Sequence, residues 1–340
     1  MHTVRLMPQG RVIRVRPDQS VLDAALEAGI NLLHSCKSGH CASCRAELLQ
    51  GTIDYPRGAP LGLTAEEAAS GGVLLCQAQA SSDLVVATRA VAHLTEVEIR
   101  TLPCRIERLV SLAPDVMQVW LRLPATERLE FRPGQYLDVL LDGGRRRSFS
   151  IASPPHDAAL IELHVRRVPG GGFTSQVFDA LRVGALLRIE GPVGQFVLRE
   201  ASTPLLLIAG GTGFAPLKSI IRHVLERGAA RKLHFFWGAR APIDLYEDAL
   251  VRRWTQEHPS LYYTGVLSEA QTMPFSAEAR VSYATGWVHE CVLQHCASFE
   301  PFDVYAAGPP AMIEAIRASF PAHGLAADRL HFDSFDYAPA

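Results

Sequence analysis

Leu205-Leu206-Leu207-Ile208-Ala209-Gly210-Gly211-Thr212-Gly213-Phe214-Ala215-Pro216 is the stretch on which the fold turns. Five apolar residues, a glycine-rich break and an early proline read as a buried strand, a tight turn and the start of a helix. A glycine pattern alone is weak, but a strand before it and a helix after it give it weight. Glycines let the backbone approach a pyrophosphate, and the positive end of the helix favours the anion. Gly210, Gly211, Thr212, Gly213 and Pro216 are therefore candidate dinucleotide-binding residues.

The elements downstream keep the same alternation. A helix is expected over Phe214–Glu226, a strand over Leu233–Trp237 and a helix over Asp244–Glu257. Strands are expected at Tyr262–Val266 and Val304–Ala307, and a last helix at Ala311–Phe320. Strands alternating with helices predict a doubly wound α/β domain over residues 200–340. After the last of these strands stands Ala307-Gly308-Pro309-Pro310, whose plain reading is a strand-to-helix turn.

Upstream, residues 100–199 read as antiparallel β. Valine, leucine and arginine alternate between turns at Pro124, Pro133-Gly134, Gly143-Gly144 and Gly191-Pro192, which predicts a β-barrel domain. Within it, Arg147-Ser148-Phe149-Ser150 follows a turn and a strand. Pro169-Gly170-Gly171-Gly172-Phe173-Thr174 then leads into a helix expected over Ser175–Leu181. A glycine run that ends in threonine at a helix start offers backbone N–H groups and a hydroxyl to a phosphate.

Residues 1–93 form a third part. Thr3–Leu6 and Arg11–Arg16 read as a hairpin turning at Gln9-Gly10. Ser20 begins a helix with Asp23 as capping partner, and Gly29 sits past its end. Then comes Cys36-x4-Cys41-x2-Cys44, with Cys76 after 31 intervening residues. Three thiolates in one tight loop and a fourth at a distance match plant-type 2Fe–2S ligation, whereas zinc sites usually pair their ligands twice. Gly39, Ala42 and Ser43 are small enough for backbone N–H groups to reach the cluster sulfurs. His40 reads as a solvent-facing loop residue, and Cys104, Cys291 and Cys296 read as buried fillers.

Composition narrows the function. The 340 residues carry a net charge of −2, no basic run beyond Arg145-Arg146-Arg147 and no apolar stretch of membrane-spanning length. Nucleic acid and membrane are not expected partners. The N-terminus lacks a signal-peptide pattern, and a metal-type cysteine loop suits a reducing compartment, so a soluble, cytoplasmic monomer is expected.

Residues 1–93 resemble a plant-type ferredoxin of β-grasp fold, with Ala42 where those proteins usually have glycine. The Arg147–Ser150 tetrapeptide resembles the Arg-x-Tyr-Ser motif of the ferredoxin-reductase superfamily, with phenylalanine for tyrosine. The Ala307–Pro310 turn resembles that superfamily's Cys-Gly-Pro-Pro, with alanine for cysteine. The resemblance implies an α+β multi-domain chain with three cofactors: a 2Fe–2S cluster on Cys36, Cys41, Cys44 and Cys76; FAD; and NADH or NADPH. It implies that Arg147, Ser148, Phe149, Ser150, His164, Val165, Arg166, Gly171, Gly172, Phe173 and Thr174 bind FAD. It implies that Ala307, Gly308 and Pro309 lie under the nicotinamide, and that Ser150, Thr212, Asp333 and Phe335 are catalytic. Arg240 is a candidate to meet the 2′-phosphate of NADPH.

The implied activity is electron transfer from NAD(P)H through FAD and the cluster to a partner protein, an oxygenase or dehydratase component. The finer resemblance is to CDP-6-deoxy-Δ3,4-glucoseen reductases, and the alternative is the reductase component of a mono- or dioxygenase. A redox-sensing regulator is a further alternative, but no DNA-binding or signalling segment is present. A dihydroorotate-type subunit would carry its cluster at the other end of the chain. Residues 1–93 hold eight Lys/Arg and eight Asp/Glu, so this ferredoxin-like part lacks an acidic steering charge.

Overall fold

The computed structural model describes residues 1–30, 32–34, 37, 39, 44–60, 62–88, 98–157, 160–228, 231–269 and 279–335. The chain forms two compact units, Met1–Arg100 with Gly191–Gln195, and Thr101–Glu190 with Phe196–Ala340.

In the first unit the His2–Met7 and Arg11–Val15 strands pair antiparallel, and Gly10 takes the positive φ of 66° that their turn requires. His2–Met7 also pairs in parallel with Leu84–Ala87, which in turn pairs with Arg45–Gln50, and Gly72–Leu74 closes the edge. A mixed five-stranded sheet of this order, crossed by the Val21–Glu27 helix, has the expected β-grasp character. The helix start differs slightly from a reciprocal capping box. Ser20 Oγ accepts from Asp23 N–H, but the Asp23 carboxylate accepts from the Ser20 hydroxyl rather than from a backbone N–H.

The second unit begins with a six-stranded sheet in the order Arg146–Ser150, Tyr136–Leu140, Leu186–Val193, Arg100–Ala113, Val116–Arg122, Leu160–Arg166. An antiparallel bridge between Ile151 and Leu163 brings the two outer ends together, so the sheet curls into a barrel. Ile106, Leu121, Leu137, Val139, Ile161, Leu163 and Val165 fill it.

The same unit continues into six parallel strands ordered Val281–Thr285, Leu261–Leu267, Leu233–Ala239, Leu205–Gly210, Asp303–Gly308, Leu330–Ser334. Along Leu205–Gly210 the side chains alternate between two cores. Leu205, Leu207 and Ala209 pack with the Phe214–Glu226 helix, and Leu206 and Ile208 with the Val288–His295 and Pro310–Ser319 helices. A continuous apolar run covered on both faces is what a parallel sheet requires.

Two expectations about elements need correction, and two further elements were not expected. The segment expected as one helix over Asp244–Glu257 is a short turn, Pro242–Asp244, followed by a helix at Asp248–Glu257. Asp244 caps its own turn by accepting from Ala241 N–H at 3.1 Å, and so is not available to open the helix. The helix expected from Ser175 begins at Gly172, so Thr174 stands in its first turn. The Val281–Thr285 strand and Val288–His295 helix gave no clear sequence signal. Val-Ser-Tyr-Ala-Thr is an edge strand with one fully buried side chain, Val281, and it lacks the apolar run of its neighbours.

Candidate functional site

The order of the parallel strands reverses between Leu205–Gly210 and Asp303–Gly308, and the crevice beyond their carboxyl ends is where such sheets take ligands. Gly210–Gly213 leaves one strand there and Ala307–Pro309 leaves the other. They approach so closely that a β-carbon on Gly210 would lie 2.7 Å from Pro309 Cδ and 2.9 Å from Met312 Sδ. One on Gly308 would lie 3.0 Å from Gly210 Cα. Gly213 has ordinary helical dihedrals, φ −57° and ψ −12°, so it is glycine for space. The Ala307 carbonyl occupies the position of its missing side chain. Gly211 has φ +53°, and Trp237 Nε1 donates to its carbonyl at 3.0 Å. The structure thus brings Gly210, Gly211, Thr212, Gly213, Ala307, Gly308 and Pro309 to one point.

Not all of these side chains face the crevice. Ala307 is fully buried in the core that contains Phe214 and Trp237, so a thiol in its place would enter packed interior. Pro216 is buried within the Phe214–Glu226 helix, where it shapes the first turn. Arg240 is exposed, just past the end of the Leu233–Ala239 strand. Phe335 N–H donates to Gly308 O at 2.9 Å, and Phe335 packs at the edge of the Phe214 core. Asp333 is buried and in register with Ala307.

The barrel contributes the other half. Arg147, Gly172, Phe173 and Gln176 line one cleft of about 160 Å³ together with Leu141, Asp142 and Arg145. The Arg147–Ser150 strand and the glycine-run helix therefore converge. Phe149 and Phe173 pack ring to ring at 5.7 Å. Ser148 Oγ donates to Asp138 Oδ1 at 2.5 Å, and Ser150 is buried opposite Tyr136. Thr174 Oγ1 accepts from Val168 N–H at 3.2 Å, and a β-carbon on Gly171 would lie 2.5 Å from that oxygen, so the turn depends on glycine. Arg146 is held by Glu190, whereas the described bond of Arg147 is to the Arg146 carbonyl at 2.9 Å.

The His164–Arg166 segment is split by strand alternation. Val165 points into the barrel core and offers only its backbone to a ligand. The His164 ring is fully buried, with Nδ1 3.0 Å from Tyr246 Oη and Nε2 2.9 Å from Glu162 Oε1. Arg166 reaches the glycine turn, its guanidinium carbon 3.7 Å from where a β-carbon on Gly211 would stand. Its Nε and Nη2 are buried without a hydrogen-bond partner among the described residues, although Asp115 and Asp244 lie within 3.5 and 3.8 Å. Orphaned guanidinium N–H groups over a glycine turn suit a phosphate-bearing ligand.

Sequence reasoning missed Glu162, Lys218 and Glu247. Lys218 Nζ donates to Glu162 Oε1 at 2.8 Å and to both Glu247 oxygens at 2.9 and 2.7 Å, with almost no exposure. Burial would push the Glu162 carboxyl up, but the hydrogen bond and charge of His164 and the charge of Lys218 outweigh it and hold it well below the usual range. Glu162, His164 and Glu247 have metal-ligating chemistry, yet the Lys218 ammonium already bridges the two carboxylates. A lysine on the buried side of an amphipathic helix was the one available signal.

Of the four cysteines expected to hold the cluster, Cys36 and Cys41 lie outside the described residues, as does His40. Cys44 and Cys76 are both buried. Leu75 N–H donates to Cys44 O at 3.2 Å, which brings the chain next to Cys76 close to Cys44. Tyr55 accepts from Leu74 N–H at 3.0 Å; burial raises its pKa, that bond lowers it, and nearby Cys44 and Cys76 raise it further. Gly39 has φ +83°, and a β-carbon there would meet Gln77 Cγ and Pro60 Cβ at 2.9 Å.

Comparison with known proteins finds three domains along the chain. Residues 4–81 match the 2Fe-2S iron-sulfur cluster binding domain, 103–198 the oxidoreductase FAD-binding domain and 207–318 the oxidoreductase NAD-binding domain. The CDP-6-deoxy-L-threo-D-glycero-4-hexulose-3-dehydrase reductase of Yersinia pestis is 37% identical over 332 residues, covering 98% of each chain. The terephthalate 1,2-dioxygenase reductase component 1 of a Comamonas species is 35% identical over 339 residues, covering 99% of this chain and 98% of that one. Among solved structures, the Amycolatopsis cytochrome P450 reductase GcoB superposes with a TM-score of 0.80 at 33% identity, over 98% of this chain and 99% of that one. No helix among the described residues is long and apolar enough to cross a membrane. With three cofactor domains in this order and relatives matched end to end, the chain belongs to the iron–sulfur flavoprotein reductases, oxidoreductases that carry electrons from NAD(P)H through FAD and a 2Fe–2S cluster to a partner protein.

Proposed function

We propose that this chain serves a nucleotide-sugar dehydrase of the kind named for its Yersinia relative, with an aromatic-ring oxygenase component as the second reading. The observation that carries the electron-entry half is the meeting of Arg166 with Gly211. A barrel strand and the glycine turn at the strand-order reversal contribute to one place, as hydride transfer between two bound rings requires. When bound, NAD(P)H supplies a hydride, FAD accepts it and splits it into single electrons, and the cluster passes those on.

The chain's own residues hold and align. Arg147 and the first turn of the Gly172–Asp179 helix neutralise flavin phosphate, with Thr174 closing the turn from below. Ser150 would donate to the flavin, and Phe149 and Phe173, packed ring to ring, would give it an apolar wall. Gly210, Gly211 and Gly213 admit the dinucleotide backbone, and Arg240 meets its adenosine end. Phe335 is fixed against Gly308, which sets the face from which the nicotinamide enters. Cys36, Cys41, Cys44 and Cys76 are the proposed cluster ligands, and the barrel boundaries near residues 100 and 199 separate the three modules.

Anaerobic titration tests the entry half. NADH should bleach the flavin and then the cluster of the whole protein. A chain starting near Arg100 should still reduce ferricyanide and should lose most cytochrome c reduction. A bound flavin that NADH does not reduce in that shorter chain would sink this mechanism. Reconstitution with a dehydrase and with an oxygenase component decides the acceptor.

A further inference from the structure

The four-residue charge network joins the two halves of the second unit. Glu162 and His164 lie on the Leu160–Arg166 barrel strand, Lys218 on the helix that leaves the glycine turn, and Glu247 just before the Asp248–Glu257 helix. We propose that this network is the positioning device for hydride transfer: Lys218, clamped between Glu162 and Glu247, sets the flavin-side strand against the nicotinamide-side turn. The proposal rests on the reading above and gives Glu162, Lys218 and Glu247 a role that needs no contact with either cofactor.

Three observations carry it. The network lies on the strand face that also carries Arg166, and strand alternation puts Glu162, His164 and Arg166 on one side while Ile161, Leu163 and Val165 fill the barrel. A shift of that strand against the helix would move Arg166 over Gly211 by the same amount. The joint is reinforced along the helix: Ser219 Oγ donates to Ser153 O at 2.8 Å, Arg222 pairs with Asp157 at 3.2 Å, and Glu226 contacts His156. Finally, charge is a poor way to gain stability here. A buried ion pair costs nearly as much in lost hydration as it returns, and apolar residues of similar volume often serve better. Its advantage is directional. The ammonium meets three carboxylate oxygens at 2.7 to 2.9 Å, a geometry that tolerates little sliding.

The test compares hydride transfer with folding in the full-length holoprotein. Lys218→Met alone would leave two buried carboxylates facing each other, so it is paired with Glu247→Gln, which leaves Glu162 its bond to His164. Lys218→Arg is the conservative control, keeping the charge while enlarging the head group. We expect the double variant to retain iron, flavin and a cooperative melt. Its limiting rate of flavin reduction at saturating NADH should fall about 100-fold, as for a misplacement near 1 Å, with little change in the NADH concentration at half-saturation. Lys218→Arg should fall about tenfold on the same scale. A wild-type limiting rate in either folded variant overturns the proposal, as does loss of flavin from folded protein. If wild-type protein itself shows no NADH-dependent flavin reduction, the functional reading has failed instead.

Discussion

The backbone carbonyl of Ala307 stands where a β-carbon on Gly213 would have to go. The two residues are far apart in sequence and belong to different turns. Their contact makes the floor of the nucleotide crevice a single rigid surface, and it is backbone against backbone, so no rotamer change can relieve a clash.

Gly213→Ala therefore tests that floor directly. Its dihedrals already suit alanine, so the only penalty is steric. Displacing the Asp303–Gly308 strand end should cost about 1–3 kcal/mol by thermal or denaturant melting. Flavin and iron should remain, and flavin reduction by NADH should slow about 100-fold. An alanine variant with wild-type reduction kinetics would show that the crevice is not the nicotinamide entry.

Arg147→Ala and Arg146→Ala should separate two adjacent arginines. Arg147 lines the barrel cleft, while Arg146 is engaged by Glu190 and Asp138. Losing one charge-assisted phosphate contact, worth about 1.5–3 kcal/mol, should weaken FAD roughly 10- to 100-fold in Arg147→Ala. Arg146→Ala should keep its flavin. Equal FAD content in the two purified variants would place the flavin phosphate elsewhere.

Cys44→Ser and Cys76→Ser should each bleach the visible absorption of the cluster and release iron while FAD stays bound, because both thiols are proposed ligands and both are buried. Iron and flavin analysis of each variant is the measurement. Zinc in place of iron would contradict the assignment.

Stability should fall on mild acidification, and His331 should account for part of it. Burial, with Arg199 adding to it, pushes the imidazole down to about 4 from its ordinary 6.5. The unfolded chain then binds the proton more readily than the folded one. The stabilising contribution is complete above about pH 6.5 and drains away as pH falls toward 4. Nε2 is buried without a hydrogen bond among the described residues, and the ring packs on Tyr305 at 4.6 Å, so His331→Phe should fold. Its melting temperature should change less between pH 7 and pH 4.5 than that of the wild type. Parallel curves for the two proteins would refute this.

The fold was largely legible because its decisive segments are local. The helix expected over Phe214–Glu226 is present with those bounds, since Gly213 and Arg227 flank one apolar face. The cysteine spacing and the glycine turn likewise need only neighbours in sequence. What escaped was what depends on distant partners. Asp244 looked like a helix start until its bond to Ala241 was seen. The resemblance makes His164 a flavin neighbour, and only the structure shows that its ring is committed to Glu162 and Tyr246, leaving the backbone for that role. Lys218 falls on the buried side of its helix, but only tertiary packing shows that Glu162 and Glu247 are its partners.

The bond from Phe335 N–H to Gly308 O has a practical side. A pull on the backbone after Phe335 loads a bond that holds the end of the Asp303–Gly308 strand, so a carboxyl-terminal affinity tag would strain that turn. A tag on Met1 would hang from the opposite terminus, making it the better handle for kinetic work on hydride transfer.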